Sequence, residues 1–163
     1  MELMIREMRE IDWVAVVSIY KEGIDTKIAT FTSELPTYEA WDKSHITSCR
    51  LVAEENGQVV GWVALGAVSS RCVYAGVAEV SIYIKADSRG KGVGEKLLQA
   101  VAAASEKEGF WMLQSGIIEI NKASIALHKK AGFRMVGYRE KIAKDHNGAW
   151  QNTVLMERRS LLY

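Results

Sequence analysis

The sequence predicts a mixed α/β fold: one domain over residues 1–163 with a central sheet flanked by helices. Three observations carry this. Short β-branched runs alternate with segments of helical apolar spacing, Asn56-Gly57 and Asn147-Gly148 mark two hairpins, and a glycine-rich turn joins a strand to a helix. A chain of 163 residues buries enough surface for one core without a second domain. No repeat or Pro/Gly/Ser linker divides it, and Pro36 is the sole proline.

Leu3 to Met8 reads as a first strand. Asp12 can cap a helix to about Gly23, whose stripe of Trp13, Val16, Val17, Tyr20 and Ile24 follows one helical face. The polar stretch Thr26 to Glu34 is a candidate binding loop, after which Thr37 can cap a second helix through roughly Ser48. Leu51 to Glu55 and Val59 to Val68 form a hairpin around Asn56-Gly57, since both turn residues tolerate positive φ. In the next strand, Val77 to Lys85, alternation sets Val80, Ile82 and Ile84 against Glu79, Ser81 and Tyr83. A helix over about Val93 to Lys107 turns Val93, Leu97, Leu98, Val101 and Ala104 to the core and stops at Gly109. Met112 to Ile118 is a strand, and Ser124 to Lys130 a short helix closed by Gly132. Arg134 to Lys144 and Trp150 to Arg158 form a last antiparallel pair.

Composition excludes several classes. At 48% hydrophobic and 25% charged the chain has neither the apolar excess of a membrane protein nor the charge excess of a disordered one. Twenty-one Lys+Arg against 20 Asp+Glu leave +1, so no global field holds a polyanion and no nucleic-acid partner is expected. Glu2, Arg6 and Glu7 interrupt the N-terminal segment, and no apolar run approaches the ~18 residues of a membrane span. No membrane partner and a cytoplasmic location are therefore expected. Cys49 and Cys72 match neither a redox pair nor a zinc spacing and read as two buried thiols of a reducing compartment. His45, His128 and His146 are scattered, so no metal is expected.

The chemistry centres on Arg89-Gly90-Lys91-Gly92-Val93-Gly94, between a strand and a helix N-terminus, where unpaired N–H groups and the helix dipole converge. Glycines let the backbone approach a pyrophosphate, and Arg89 and Lys91 add charge; a tight turn made for packing alone is the plainer alternative. Neither the Walker spacing nor the dinucleotide fingerprint fits. The residues match R/Q-x-x-G-x-G/A, the coenzyme A pyrophosphate loop of the GNAT N-acetyltransferase superfamily. Asn121 to Phe133 matches that superfamily's N-x-x-A/S-x-x-L-Y-x-K-x-G-F helix. Over nearly its full length the chain resembles these enzymes. Arg71-x-x-Tyr74, Val77 to Ile84 and Gly148-Ala149-Trp150 resemble the phosphinothricin and methionine sulfoximine acetyltransferase group.

The resemblance implies a mixed sheet splayed between the fourth and fifth strands, which hold Ile82 and Ile117. Acetyl-coenzyme A would lie in the split, its pantetheine arm paired to Ile82, Tyr83 and Ile84. Its pyrophosphate would be held by Arg89, Gly90, Lys91, Gly92, Val93, Gly94 and Glu95, with Asn121 touching the coenzyme. Aminolysis of a thioester needs a neutral amine, so a carboxylate facing the cleft can act as general base, and Glu79 is the candidate; a strand glutamate reaching solvent is the alternative. Backbone N–H groups near Val80 to Ile82 could stabilise the oxyanion. Where many superfamily members have a tyrosine acid this chain has His128, which could donate a proton or merely pack its helix.

Arg71 has the fork for a carboxylate and Tyr74 could wall the pocket, which points to an amino-acid substrate; a surface arginine is the alternative. Phe31 resembles a subgroup residue that would line the same pocket, with a core phenylalanine as the alternative, and Val80 and Ser81 complete the predicted substrate contacts. Lys129 and Lys130 could approach coenzyme phosphates but fit a solvated helix face. The last hairpin, with Trp150, suggests a homodimer, as the subgroup resemblance also implies. The expected activity is transfer of acetyl to the α-amine of an amino-acid analogue such as methionine sulfoximine, methionine sulfone or phosphinothricin. Acetylation of a peptide or polyamine, or coenzyme binding without turnover, are the rival readings.

Overall fold

The computed structural model describes residues 2–163. Its strands are β1 (Leu3–Glu7), β2 (Leu51–Glu55), β3 (Gln58–Ala67), β4 (Val77–Ile84), β5 (Met112–Ile118), β6 (Arg134–Lys144) and β7 (Trp150–Arg159). The helices are α1 (Trp13–Asp25), α2 (Tyr38–Ser44), α3 (Val93–Lys107) and α4 (Lys122–Lys130). One sheet runs β1-β2-β3-β4-β5-β7-β6, and β4 beside β5 is its parallel pair.

Two cores form because both sheet faces are apolar. On one face Leu97, Leu98 and Val101 of α3 share a core with Val63, Leu65, Val80 and Leu113. On the other, Val16 and Ile19 of α1 and Trp41 of α2 enclose Val52, Trp62 and Ala64. Alternation along β4 divides its side chains as expected, Ile82 and Ile84 packing with α3 and Tyr83 with the α1 side. That second core is a run of rings: Tyr83 stacks on Trp62 at 5.2 Å, Trp62 meets Trp41 edge-on at 5.7 Å, and Trp41 contacts Trp13 at 5.6 Å.

Local signals place most elements. Asn56 and Gly57 take φ of 54° and 78°, the twisted turn that suits a two-residue hairpin. Thr37 caps α2 by accepting the Ala40 N–H at 3.2 Å. Four expectations need correction. Asp12 sits at the N-cap of α1, yet its carboxylate does not cap the helix: it takes the Arg6 guanidinium at 2.9 Å through both oxygens and the Arg9 N–H at 2.7 Å. Helix α2 ends at Ser44 rather than Ser48, because the His45 ring stacks on Trp41 and Arg50 reaches back to the carbonyls of Asp42, His45 and Ile46. Helix α4 begins two residues early, at Lys122, since Asn121 serves as its cap. Cys49 is buried as expected, but Cys72 is exposed.

The feature that makes a site is a fork. Among the described residues β4 and β5 pair only at Val77↔Met112, Ala78↔Leu113 and Glu79↔Gln114. Beyond that β4 stays with β3 while β5 stays with β7 through Ile118↔Thr153. The closed end is pinned where the Gly76 carbonyl accepts the N–H groups of Trp111 and Met112, at 2.8 and 3.1 Å. The Trp111 ring lies where a Cβ on residue 76 would stand, so only glycine fits there.

Candidate active site

A cleft of about 500 Å3 opens from the fork. At one end lies the glycine-rich turn. Gly90 and Gly92 have φ of 74° and 84°, a region that L-residues with a Cβ avoid. Gly92 is the N-cap of α3, and the first helical bond runs from the Lys96 N–H to its carbonyl at 3.2 Å. The N–H groups of Val93, Gly94 and Glu95 precede that bond, and all three residues line the cleft. This is an anion seat built of backbone. Arg89 lines it too, its Nε donating to the Ile84 carbonyl at 3.1 Å, whereas exposed Lys91 does not. Gly94 serves packing: a Cβ there would stand 2.8 Å from a Leu127 methyl.

The strand edge comes next. The Lys85 N–H bonds the Val60 carbonyl on β3 at 2.8 Å, so by antiparallel alternation Tyr83 and Ser81 turn their backbone toward β3, and Ile82 and Ile84 turn theirs into the fork. Ile82, Tyr83 and Ile84 all line the cleft. Tyr83 lies flush against Gly23 of α1. Burial raises its hydroxyl pKa, which keeps the phenol neutral.

The facing wall was only partly legible. Asn121 lines the cleft, but its Oδ1 already accepts the Ser124 N–H at 3.2 Å, leaving the Nδ2 as the group free to meet a ligand. Ala123, Ala126, Leu127 and Lys130 line it as well; their helical spacing on one face was the signal that could have found them. Lys130 pairs with Glu95 at 3.3 Å. Thr26, Ile28 and Ala29 join from the polar stretch singled out after α1.

Glu79 stands at the apex of the fork, where the β4–β5 pairing ends, and like Val80 and Ser81 it is not among the residues that line the cleft. Its Oε2 accepts the Gly116 N–H at 2.9 Å and its Oε1 accepts from the Gln114 amide at 3.2 Å. Val80 is buried and Ser81 half-buried beside it. Arg71 and Tyr74 lie outside the cleft lining, in the turn before β4, with the guanidinium over the Tyr74 ring at 5.6 Å. Among the described residues Arg71 has no carboxylate partner. Phe31 is half-buried and also off the cleft lining.

His128 is 1% exposed and does not line the cleft. Its Nδ1 lies 2.7 Å from the Ser124 carbonyl, which can only accept, so the ring proton sits there. The Nε2 is buried without a partner, the ring is edge-on to Phe133 at 5.0 Å, and burial lowers the pKa. These surroundings support the packing alternative: a neutral imidazole has no proton at Nε2 to give. Among the described residues no cluster of three His, Cys, Asp or Glu could hold a metal, and no helix is long and apolar enough to cross a membrane.

A fork with a backbone anion seat and a carboxylate at its apex is the architecture of an acyl-coenzyme A transferase. The chain belongs to the acetyltransferase (GNAT) family, whose model matches residues 13–133. It is an N-acetyltransferase that takes acetyl from acetyl-coenzyme A. The chain is 39% identical over 138 residues to YwnH of Bacillus subtilis (strain 168), covering 82% of this chain and 83% of that one. It is 26% identical over 163 residues to the L-methionine sulfoximine/L-methionine sulfone acetyltransferase of Pseudomonas paraeruginosa, covering 96% and 94%. The crystal structure of a phosphinothricin acetyltransferase from Sinorhizobium meliloti in complex with acetyl-coenzyme A superposes with a TM-score of 0.88 at 30% identity, covering 98% of this chain and 89% of that one.

Proposed function

We propose that the enzyme acetylates the α-amino group of a small amino-acid analogue of the methionine sulfoximine, methionine sulfone or phosphinothricin kind. Attack is direct, within a ternary complex. The observation that carries the reading is Arg71: an exposed guanidinium seated on Tyr74, without a carboxylate partner among the described residues, in the turn that leads into the strand of Glu79. It suits a substrate carboxylate, and the relatives named for amino-acid analogues support the same class.

Glu79 takes one proton from the substrate ammonium, directly or through a water. The neutral amine then attacks the thioester carbonyl; a C–N bond forms, the C–S bond breaks, and the second amine proton passes to solvent as the amide forms. N–H groups of β4 that face the fork, near Val80 to Ile82, stabilise the oxyanion. His128 takes no part. A thiol of ordinary pKa about 8.5 is a good enough leaving group to depart as thiolate and be protonated by solvent.

The test is thiol release from acetyl-coenzyme A with free amino acids, methionine sulfoximine, phosphinothricin, polyamines and short peptides. Turnover confined to amino-acid analogues supports the reading, and turnover only with peptides or polyamines overturns it. Silence across the panel beside tight coenzyme binding overturns it as well. A homodimer through the last hairpin belongs to the same proposal, supported by Val136, Tyr138, Ile142 and Trp150, all more than 40% exposed there. So does a cytoplasmic location, which fits dependence on acetyl-coenzyme A and an exposed free thiol at Cys72.

A further inference from the structure

We propose that Gln114 is a positioning residue for the reaction: its amide and the Gly116 backbone N–H together hold the Glu79 carboxylate at the apex of the fork. The inference rests on the reading of Glu79 as base. In an unbroken parallel ladder the Gly116 N–H would be answered by a carbonyl of β4. The ladder stops at Glu79↔Gln114, and β4 turns away. The N–H left behind is taken by Glu79 Oε2 at 2.9 Å, so the side chain substitutes for the missing strand.

One bond leaves the carboxylate free to rotate about it. The second, from Gln114 Nε2 to Oε1 at 3.2 Å, fixes its plane. Gln114 is Glu79's register partner, half-buried on the same strand face, so its reach is set by the sheet rather than by a loop. Each oxygen keeps a lone pair beyond the one it has engaged, and with both oxygens anchored the directions of these lone pairs are fixed. A general base gains from such fixing because proton transfer depends steeply on approach geometry.

The test is a double-mutant cycle on acetyl-coenzyme A and whichever of methionine sulfoximine or phosphinothricin is turned over faster. Gln114→Met keeps the volume and removes the donor. It is expected to lower kcat about tenfold, the worth of a hydrogen bond to a charged group, and to leave the KM for acetyl-coenzyme A unchanged. Gln114→Glu, of equal length, sets carboxylate against carboxylate and should lose at least as much, which guards against a folding defect peculiar to methionine. In the Glu79→Gln background Gln114→Met should cost nothing further. Losses that multiply in the double variant, or wild-type kcat in Gln114→Met beside a slowed Glu79→Gln, overturn this inference alone. An unimpaired Glu79→Gln enzyme overturns the base reading and this inference together.

Discussion

Single residues at this site are told apart by what already occupies their polar atoms. Glu79→Gln can still accept the Gly116 N–H through its amide oxygen, so the fork survives while basicity is lost. Steady-state kinetics should show kcat down roughly 100-fold with coenzyme affinity intact. Arg71→Ala should raise the KM for the amino-acid substrate at least tenfold and leave that for acetyl-coenzyme A alone, since Arg71 stands off the coenzyme cleft. Equal rises in both would detach Arg71 from the substrate. His128 and His45 have depressed folded-state pKa values, caused first by burial, so the neutral forms belong to the fold. Protonation then favours the unfolded chain. The stability held above the ordinary value of 6.5 is lost as pH falls from there toward the folded-state values. Thermal unfolding followed from pH 7.5 to 5.5 should show Tm falling, and His128→Gln should flatten the fall.

At the level of elements, legibility tracked how local each cause was. The glycine-rich turn, the Asn56-Gly57 hairpin and the α3 stripe follow from neighbours in sequence, and all stand where they were expected. The end of α2 did not, because it is decided by Arg50, eight residues from Asp42, and by a ring stack. Asp12 does not cap α1 for the same reason: its carboxylate is taken by Arg6 of β1, whose guanidinium also reaches Glu54 on the neighbouring β2. The partners of Glu79 lie 35 and 37 residues away on β5, and no spacing rule could bring Gln114 and Gly116 to it. In the turn itself, Gly92→Ala would impose a strained left-handed conformation of about 1 kcal/mol on the N-cap of α3. The expected result is a KM for acetyl-coenzyme A raised about tenfold with the amine KM unmoved. A coenzyme KM equal to wild type would remove Gly92 from the anion seat.

For the molecule as a whole, the apolar side chains of the last hairpin and the run of rings under α1 and α2 matter most. Tyr138→Glu should convert a dimer to a monomer in sedimentation, and a wild-type chain that sediments as a monomer would dispose of the homodimer outright. The rings have an optical consequence. Tyr83 is at once a wall of the cleft and the partner of Trp62, which leads through Trp41 to Trp13. A coenzyme settling against Tyr83 changes the surroundings of the nearest indole, so the enzyme's intrinsic emission should shift as acetyl-coenzyme A is titrated in. Occupancy of the cleft then becomes readable without a label or a turnover.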